Sequence, residues 1–142
     1  MIRYLLDTNI AIHIMLGDPR LLATAAEHVA DDSVGISTCS VGELHYGIHA
    51  AREPEREREA VQELLAALEI MDYDEVAARE YGRLRATMKQ TGQLIPTMDT
   101  QIAALAIANG LTVVSADRHL AMVPGLRVEN WLEAPPSDED TP

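Results

Sequence analysis

Four acidic side chains stand at places where the chain can turn toward one cleft: Asp7, Glu43, Asp99 and Asp117. Asp7 ends the apolar run Tyr4-Leu5-Leu6 and precedes Thr8-Asn9-Ile10. Glu43 lies just past Val34-Gly35-Ile36-Ser37, in Ser40-Val41-Gly42-Glu43-Leu44. Asp99 opens an alanine-rich segment, and Asp117 follows Val113-Val114-Ser115-Ala116. Three of the four fall at or just beyond the C-terminal end of an expected strand, where open parallel sheets place their ligand sites. Carboxylates gathered there repel one another unless a hard cation neutralises them, and Mg²⁺ or Mn²⁺ takes oxygen ligands. The chemistry such a set can perform is metal-assisted cleavage of a phosphodiester.

The elements that must hold these residues can be read from periodicity and punctuation. Strand and helix signals alternate, which predicts an α/β fold. Strands are expected at residues 3–7, 34–37, 69–71 and 111–115, with a final edge strand at 126–129. Helices are expected at residues 9–16, 19–30, 74–90 and 97–109, the last closed by Gly110 as its C-terminal cap. A further helix starts near Ser40. There Ser40 and Glu43 have the spacing of a capping box, which gives Glu43 a structural reading that competes with a metal-binding one. The charge cluster 52–59 continues into the apolar stripe Val61, Leu64, Leu65 and Leu68. Its Glu53–Arg56 and Glu55–Arg58 pairs sit at helix-neighbour spacing, so it reads as an amphipathic helix with a solvated face. Residues 1–133 are expected to form one domain and the acidic segment 134–142 a disordered tail. There is no internal repeat and no inter-domain linker.

Bulk properties narrow the classes. The formal charge of −12 argues against a nucleic-acid substrate, since affinity for polyphosphates rests on Lys and Arg. Two features soften that argument. Asp138, Glu139 and Asp140 belong to the tail, and no acid occurs between Tyr81 and Met98, where Arg83, Arg85 and Lys89 cluster. Those three form a basic strip leading toward Asp99 that either guides RNA or is an ordinary solvated helix face. The overall acidity also suits a basic protein partner. The single cysteine, Cys39, excludes an intramolecular disulfide and reads as a small apolar residue. No apolar stretch reaches membrane-spanning length and no secretory signal opens the chain, so a cytoplasmic location is expected. Of five histidines, His45 and His49 lie one helical turn apart without a third ligand, and His119 beside Asp117 is the one suited to substrate contact.

The order of these fragments resembles the PIN-domain nucleases, and in particular the ribonuclease toxins of bacterial VapBC toxin–antitoxin pairs. Leu5-Leu6-Asp7-Thr8-Asn9 is similar to the family's opening strand and first acid, and Ser40 to Gly47 to its second-acid helix. Gly92-Gln93-Leu94-Ile95-Pro96 followed by Asp99 is similar to its third-acid segment. Asn109-Gly110-Leu111 leads into Val113-Val114-Ser115 and Asp117, the counterpart of a fourth acid, and Val123-Pro124-Gly125-Leu126 with Trp131 resembles the closing segment. Two departures stand out. Asp117 is followed by Arg118-His119-Leu120 where relatives carry an aromatic residue, and phenylalanine is absent throughout. The resemblance implies a single three-layer α/β/α domain around a mostly parallel sheet. It also implies hydrolysis of RNA by metal-activated water, with Asp7 and Asp99 as direct Mg²⁺ ligands (Mn²⁺ being the alternative ion) and Glu43 and Asp117 completing the site. Thr8, Asn9 and Ser40 would orient water around the ion, while capping of the first helix is the other reading of Thr8 and Asn9. Arg83, Arg85, Lys89 and Arg118 would contact substrate. The implied partners are an RNA, a small cognate antitoxin and a second copy of the chain. The antitoxin groove is expected near Ile12, Leu16, Ile48 and Leu64, apolar positions in excess of what the core needs. A structure-specific DNA nuclease, a phosphatase-like hydrolase and a non-catalytic interaction module are the competing classes. The phosphatase reading lacks the second aspartate two residues after the first, because Asn9 stands there.

Overall fold

A computed structural model describes residues 1–133, so the expected tail at 134–142 lies outside it. Five short strands, β1 (Tyr4–Leu6), β2 (Val34–Ser37), β3 (Glu69–Met71), β4 (Thr112–Val114) and β5 (Arg127–Glu129), form a sheet in the order β3-β2-β1-β4-β5. All four pairings are parallel, which places β1 centrally and makes β5 an edge, as expected. Seven helices connect them: α1 (Thr8–Met15), α2 (Pro19–Ala30), α3 (Thr38–Ala50), α4 (Pro54–Ala66), α5 (Glu75–Gln90), α6 (Thr97–Asn109) and the one-turn α7 (Arg118–Ala121).

Alternation along β1 explains the layering, because successive strand residues point to opposite faces. Leu5 packs with Ala77, Leu84 and Met88 of α5 and Ile102 and Leu105 of α6. Leu6 turns the other way, onto Ile10 of α1 and Leu21 and Ala25 of α2. Ile36 of β2 buries on that second side with Leu44 and Ile48 of α3 and Val61 and Leu64 of α4. The result is a three-layer α/β/α domain. Without phenylalanine, the fully buried large side chains are leucines, isoleucines, a valine and Met88. Aromatic packing is left to Tyr4, His28 and Trp131, with ring centroids 4.5–5.2 Å apart. Gly110 adopts φ +67°, the left-handed cap foreseen for α6, and Leu111 N–H closes onto Ala106 C=O at 2.8 Å. No described helix is long and apolar enough to cross a membrane.

Several expectations need correction. Strand β2 runs into α3 without a loop, so its last residue, Ser37, caps the helix by accepting the Ser40 N–H at 3.1 Å. Ser40 is thereby the third residue inside α3, buried, and the Ser40–Glu43 capping box does not form. Helix α1 is capped by Asp7 rather than by Thr8 or Asn9. Ile48 and Leu64 belong to the core at 1% and 9% exposure, whereas Ile12 and Leu16 are exposed as expected. The two i,i+3 ion pairs of the charge cluster are present, Glu53–Arg56 at 3.6 Å and Glu55–Arg58 at 2.6 Å.

Candidate metal centre

The register of the sheet sets three polar residues in a row. Leu6 pairs with Ile36 on one side and with Val114 on the other, so the next residues along β1, β2 and β4 are Asp7, Ser37 and Ser115. All three are buried, Asp7 at 6% exposure, at the C-terminal edge of the sheet, where β1 and β4 have ended and Ser37 closes β2. Asp7 is held from two directions. Its Oδ1 accepts the Ile10 N–H at 2.8 Å as the cap of α1, and its Oδ2 accepts the Ser115 hydroxyl. A carboxylate has about four acceptor positions, so each oxygen retains room for a cation.

Ser115 also fixes the fourth acid. Its Oγ accepts the Asp117 N–H at 2.9 Å, and the Asp117 carboxylate caps α7 by accepting the His119 N–H at 2.8 Å. One hydroxyl therefore ties the first and fourth acids together. Ser115 has no role among the expectations from sequence, although a serine two residues before an aspartate at a strand end is a recognisable turn signal. Replacing Ser115 with Ala leaves the Asp117 N–H and one Asp7 oxygen without their partner. The expected cost is about 1–3 kcal/mol of stability, with divalent-ion affinity reduced roughly tenfold or more. Thermal melts and ion titrations that match the wild type would contradict this positioning role.

Asp99 arrives from the first turn of α6, half-buried, after Pro96 has started that helix. One carboxylate oxygen each of Asp99 and Asp117 and one imidazole nitrogen of His119 lie within 4.8 Å of one another. Electrostatics join Asp7 to the same set. Burial raises the pKa of Asp7, opposed by its bonds from Ser115 and Ile10 and reinforced by the Asp117 charge. Asp99 is likewise raised, by burial first and then by the charges of Asp117 and Asp7, with His119 opposing. Two raised carboxyl groups facing the charge of a third acid, Asp117, are a donor set suited to a divalent cation, whose charge would reverse that repulsion.

Glu43 stands apart from this trio but opens onto it. It is exposed on α3 and shares with Asp99, Thr8, Asn9, Tyr46 and Met98 a cavity of about 450 Å³. A second cavity of about 250 Å³ on the other side of Asn9 is lined by Asp7, His13 and Asp117. The Thr8 hydroxyl donates to the Ser40 Oγ at 2.9 Å, tying α1 to α3 between these acids. Among the expected substrate contacts, Arg118 is exposed beside Asp117. Arg83, Arg85 and Lys89 lie on the solvent face of α5 and line neither cavity. Arg83 is ion-paired with Glu80, the acid just before the acid-free stretch, and Arg85 donates to the Tyr81 hydroxyl at 3.2 Å.

Comparison with known proteins identifies the family of the fold. The family model for the PIN domain matches residues 4–126. Ribonuclease VapC2 of Haemophilus influenzae is 35% identical over 133 residues, which cover 93% of this chain and 100% of that protein. The tRNA(fMet)-specific endonuclease VapC of Salmonella typhimurium is 32% identical over 138 residues, covering 92% and 99%. The crystal structure of DNA-bound VapBC from Salmonella typhimurium superposes with a TM-score of 0.87 at 32% identity, covering 92% of this chain and 99% of the matched one. The chain belongs to the PIN-domain family, within its VapC group.

Proposed function

We propose that this protein is the ribonuclease toxin of a VapBC-type toxin–antitoxin pair, cleaving RNA phosphodiester bonds with Mg²⁺, or Mn²⁺, held at the carboxylate cluster. The observation that carries the reading is the gathering of Asp7, Asp99 and Asp117 at the C-terminal edge of the parallel sheet, where Ser115 bridges Asp7 and Asp117 and an Asp117 oxygen lies within 4.8 Å of an Asp99 oxygen. It is supported by identity above 30%, over nearly the whole chain, to proteins named as a ribonuclease and an endonuclease. Asp7 and Asp99 would be the direct ligands, with Asp117 and Glu43 completing the coordination or binding through water. When bound, the cation supplies Lewis acidity toward the phosphate and lowers the pKa of water at neutral pH. The chain's own residues do the positioning. Ser115 and the Ile10 N–H fix the orientation of Asp7, Ser115 orders the turn carrying Asp117, and the Thr8–Ser40 bond holds α1 against the helix that presents Glu43. The phosphatase-like alternative loses its support with the family match.

The test is incubation of purified toxin with tRNA, ribosomal RNA and mRNA in separate reactions, with cleavage ends mapped by sequencing. The relative named as tRNA(fMet)-specific makes tRNA the first substrate to try. Discrete new ends in at least one RNA are expected, and their absence from every pool would contradict the reading.

Substrate guidance is separable from catalysis. In an Asp99→Ala background that preserves RNA, Arg85→Gln and Lys89→Gln should each reduce the salt slope of single-stranded RNA binding by about 0.7. Arg83→Gln should change it less, because Glu80 already neutralises that guanidinium. Substitutions at the paired Arg56 and Arg58 are the control. Slopes equal to that of the Asp99→Ala parent in all five variants would make the α5 strip a solvated face only.

The antitoxin surface follows the exposed apolar positions. Ile12 and Met15 of α1, with Leu16 at its C-terminal cap, face α4 across a groove of about 580 Å³. It continues past Met15 and Ala60 into a cavity of about 300 Å³ reaching Leu22. Ile12 also lines the cavity of Glu43 and Asp99, so the groove opens toward the acids. An amphipathic segment laid there would bury its apolar face and could bring a basic side chain to the carboxylates.

A further inference from the structure

We propose that His119 is a ligand of the metal site, making its Asp99–Asp117 end a mixed oxygen–nitrogen centre that binds Mn²⁺ in preference to Mg²⁺. The proposal rests on the metal-site reading above and goes beyond it, because the sequence offered four carboxylates and no histidine ligand.

The geometry comes from α7. Asp117 caps that single turn through the His119 N–H, and this bond fixes the His119 backbone two residues from an acid of the cluster. The imidazole then lies alongside, with Nδ1 3.3 Å from Asp117 Oδ1. One of its nitrogens is within 4.8 Å of both an Asp99 and an Asp117 oxygen. Donors around a single octahedral ion with bonds near 2.1 Å lie about 3 Å apart when adjacent and about 4.2 Å when opposite. The separations of the three atoms, all within 4.8 Å, exceed that range by about 0.6 Å at most, and the His119 side chain is 58% exposed. No other histidine of the described residues joins such a cluster.

Ion preference follows from ligand type. Mg²⁺ demands near-ideal octahedral oxygen coordination and keeps its waters, so a site of carboxylates alone suits it. Imidazole nitrogen adds affinity for transition ions, and affinity for nitrogen-containing sites rises along the series that begins at Mn²⁺. A single histidine at the rim of an acidic cluster thus shifts the site away from Mg²⁺ while leaving the carboxylates to neutralise its charge.

The experiment uses Mn²⁺ as a paramagnetic probe on the full-length, antitoxin-free protein. Electron spin-echo spectroscopy reads ¹⁴N coupling from a bound imidazole, and ion titration at one fixed pH gives the Mn²⁺ and Mg²⁺ affinities. The wild type should show imidazole ¹⁴N coupling, and His119→Ala should lose it. The same substitution should weaken Mn²⁺ about tenfold and Mg²⁺ less than about threefold. His13→Ala, at the Asp7 end of the site, should keep the coupling. No nitrogen coupling in the wild type overturns the proposal, as does coupling that vanishes with His13 instead. Equal weakening of both ions would mean that His119 acts only by orienting Asp117, and also overturns it. Failure of the underlying reading looks different: Mn²⁺ would bind Asp99→Ala as tightly as wild type, or bind neither.

Discussion

Asp99→Ala is expected to abolish RNA cleavage, by roughly a thousandfold or more, and to raise the melting temperature of the metal-free protein. The two effects share one cause. Asp99 and Asp7 both have raised pKa values, so each holds its proton more readily folded than unfolded. Such a group costs nothing below the ordinary carboxylate pKa. Its penalty grows as pH rises through the raised value and is fully present at neutral pH. Removing Asp99 removes that penalty and, because no hydrogen bond holds its side chain among the described residues, breaks little else. With each kcal/mol worth about 3–5 °C for a chain of this size, and solvent screening the half-buried group, a gain of a few degrees is expected. The gain should vanish at acid pH. Adding Mg²⁺ should stabilise the wild type and leave the variant unmoved. Asp7→Ala should be equally inactive without becoming more stable. Asp7 caps α1 and accepts the Ser115 hydroxyl, and losing a cap alone costs about 1 kcal/mol. Calorimetry of the two variants with and without Mg²⁺, beside a cleavage assay, checks both halves. A metal-free Asp99→Ala protein that melts below wild type at neutral pH would contradict the repulsion argument.

Leu16→Glu should release the antitoxin while leaving the isolated toxin folded and active. Leu16 is 77% exposed at the end of α1, a large apolar side chain with no place in the core, and it lines the groove facing α4. A carboxylate there would have to be buried against an apolar segment. The expected loss is about 2 kcal/mol or more, roughly thirtyfold in affinity. In cells this appears as growth arrest that the co-expressed neighbouring gene no longer relieves. In vitro it appears as a lower affinity by titration with purified antitoxin. Ile48→Val and Leu64→Val, which alter buried positions behind the same helices, should change stability and not affinity. Unchanged antitoxin binding by Leu16→Glu would move the partner to another face.

Much of the architecture was legible because its signals are local. Alternating strand and helix patterns, the Gly110 cap and the strand-terminal position of Asp7 each depend on a few neighbouring residues. What could not be read depends on exact junctions. A loop was expected between β2 and α3, which made Ser40 the natural cap. In the structure strand and helix abut, the cap moves to Ser37, and Glu43 is released from the capping role that competed with ligation. Helix α7 was missed because one turn is too short to show a period. The role of Ser115 depends on a contact 108 residues away in sequence. For the same reason Ile48 and Leu64 looked like surplus surface: whether an apolar stripe meets the core or solvent is decided by the helix packed across it. The pairing of Arg83 is not visible in the acid-free stretch itself, because its partner, Glu80, lies just outside it.

The central claim is that the carboxylates act as one divalent-ion site in an RNA-cleaving enzyme. Cleavage of RNA by antitoxin-free protein, measured in EDTA and after titrating Mg²⁺ or Mn²⁺ back, tests it most directly when wild type is compared with Asp7→Ala, Asp99→Ala and the charge-removing Glu43→Gln. The account predicts no cleavage by the wild type in EDTA and recovery on adding either ion. It predicts no recovery for the two aspartate variants and partial recovery, at higher ion concentration, for Glu43→Gln. Undiminished cleavage in EDTA by the wild type and all three variants would contradict it.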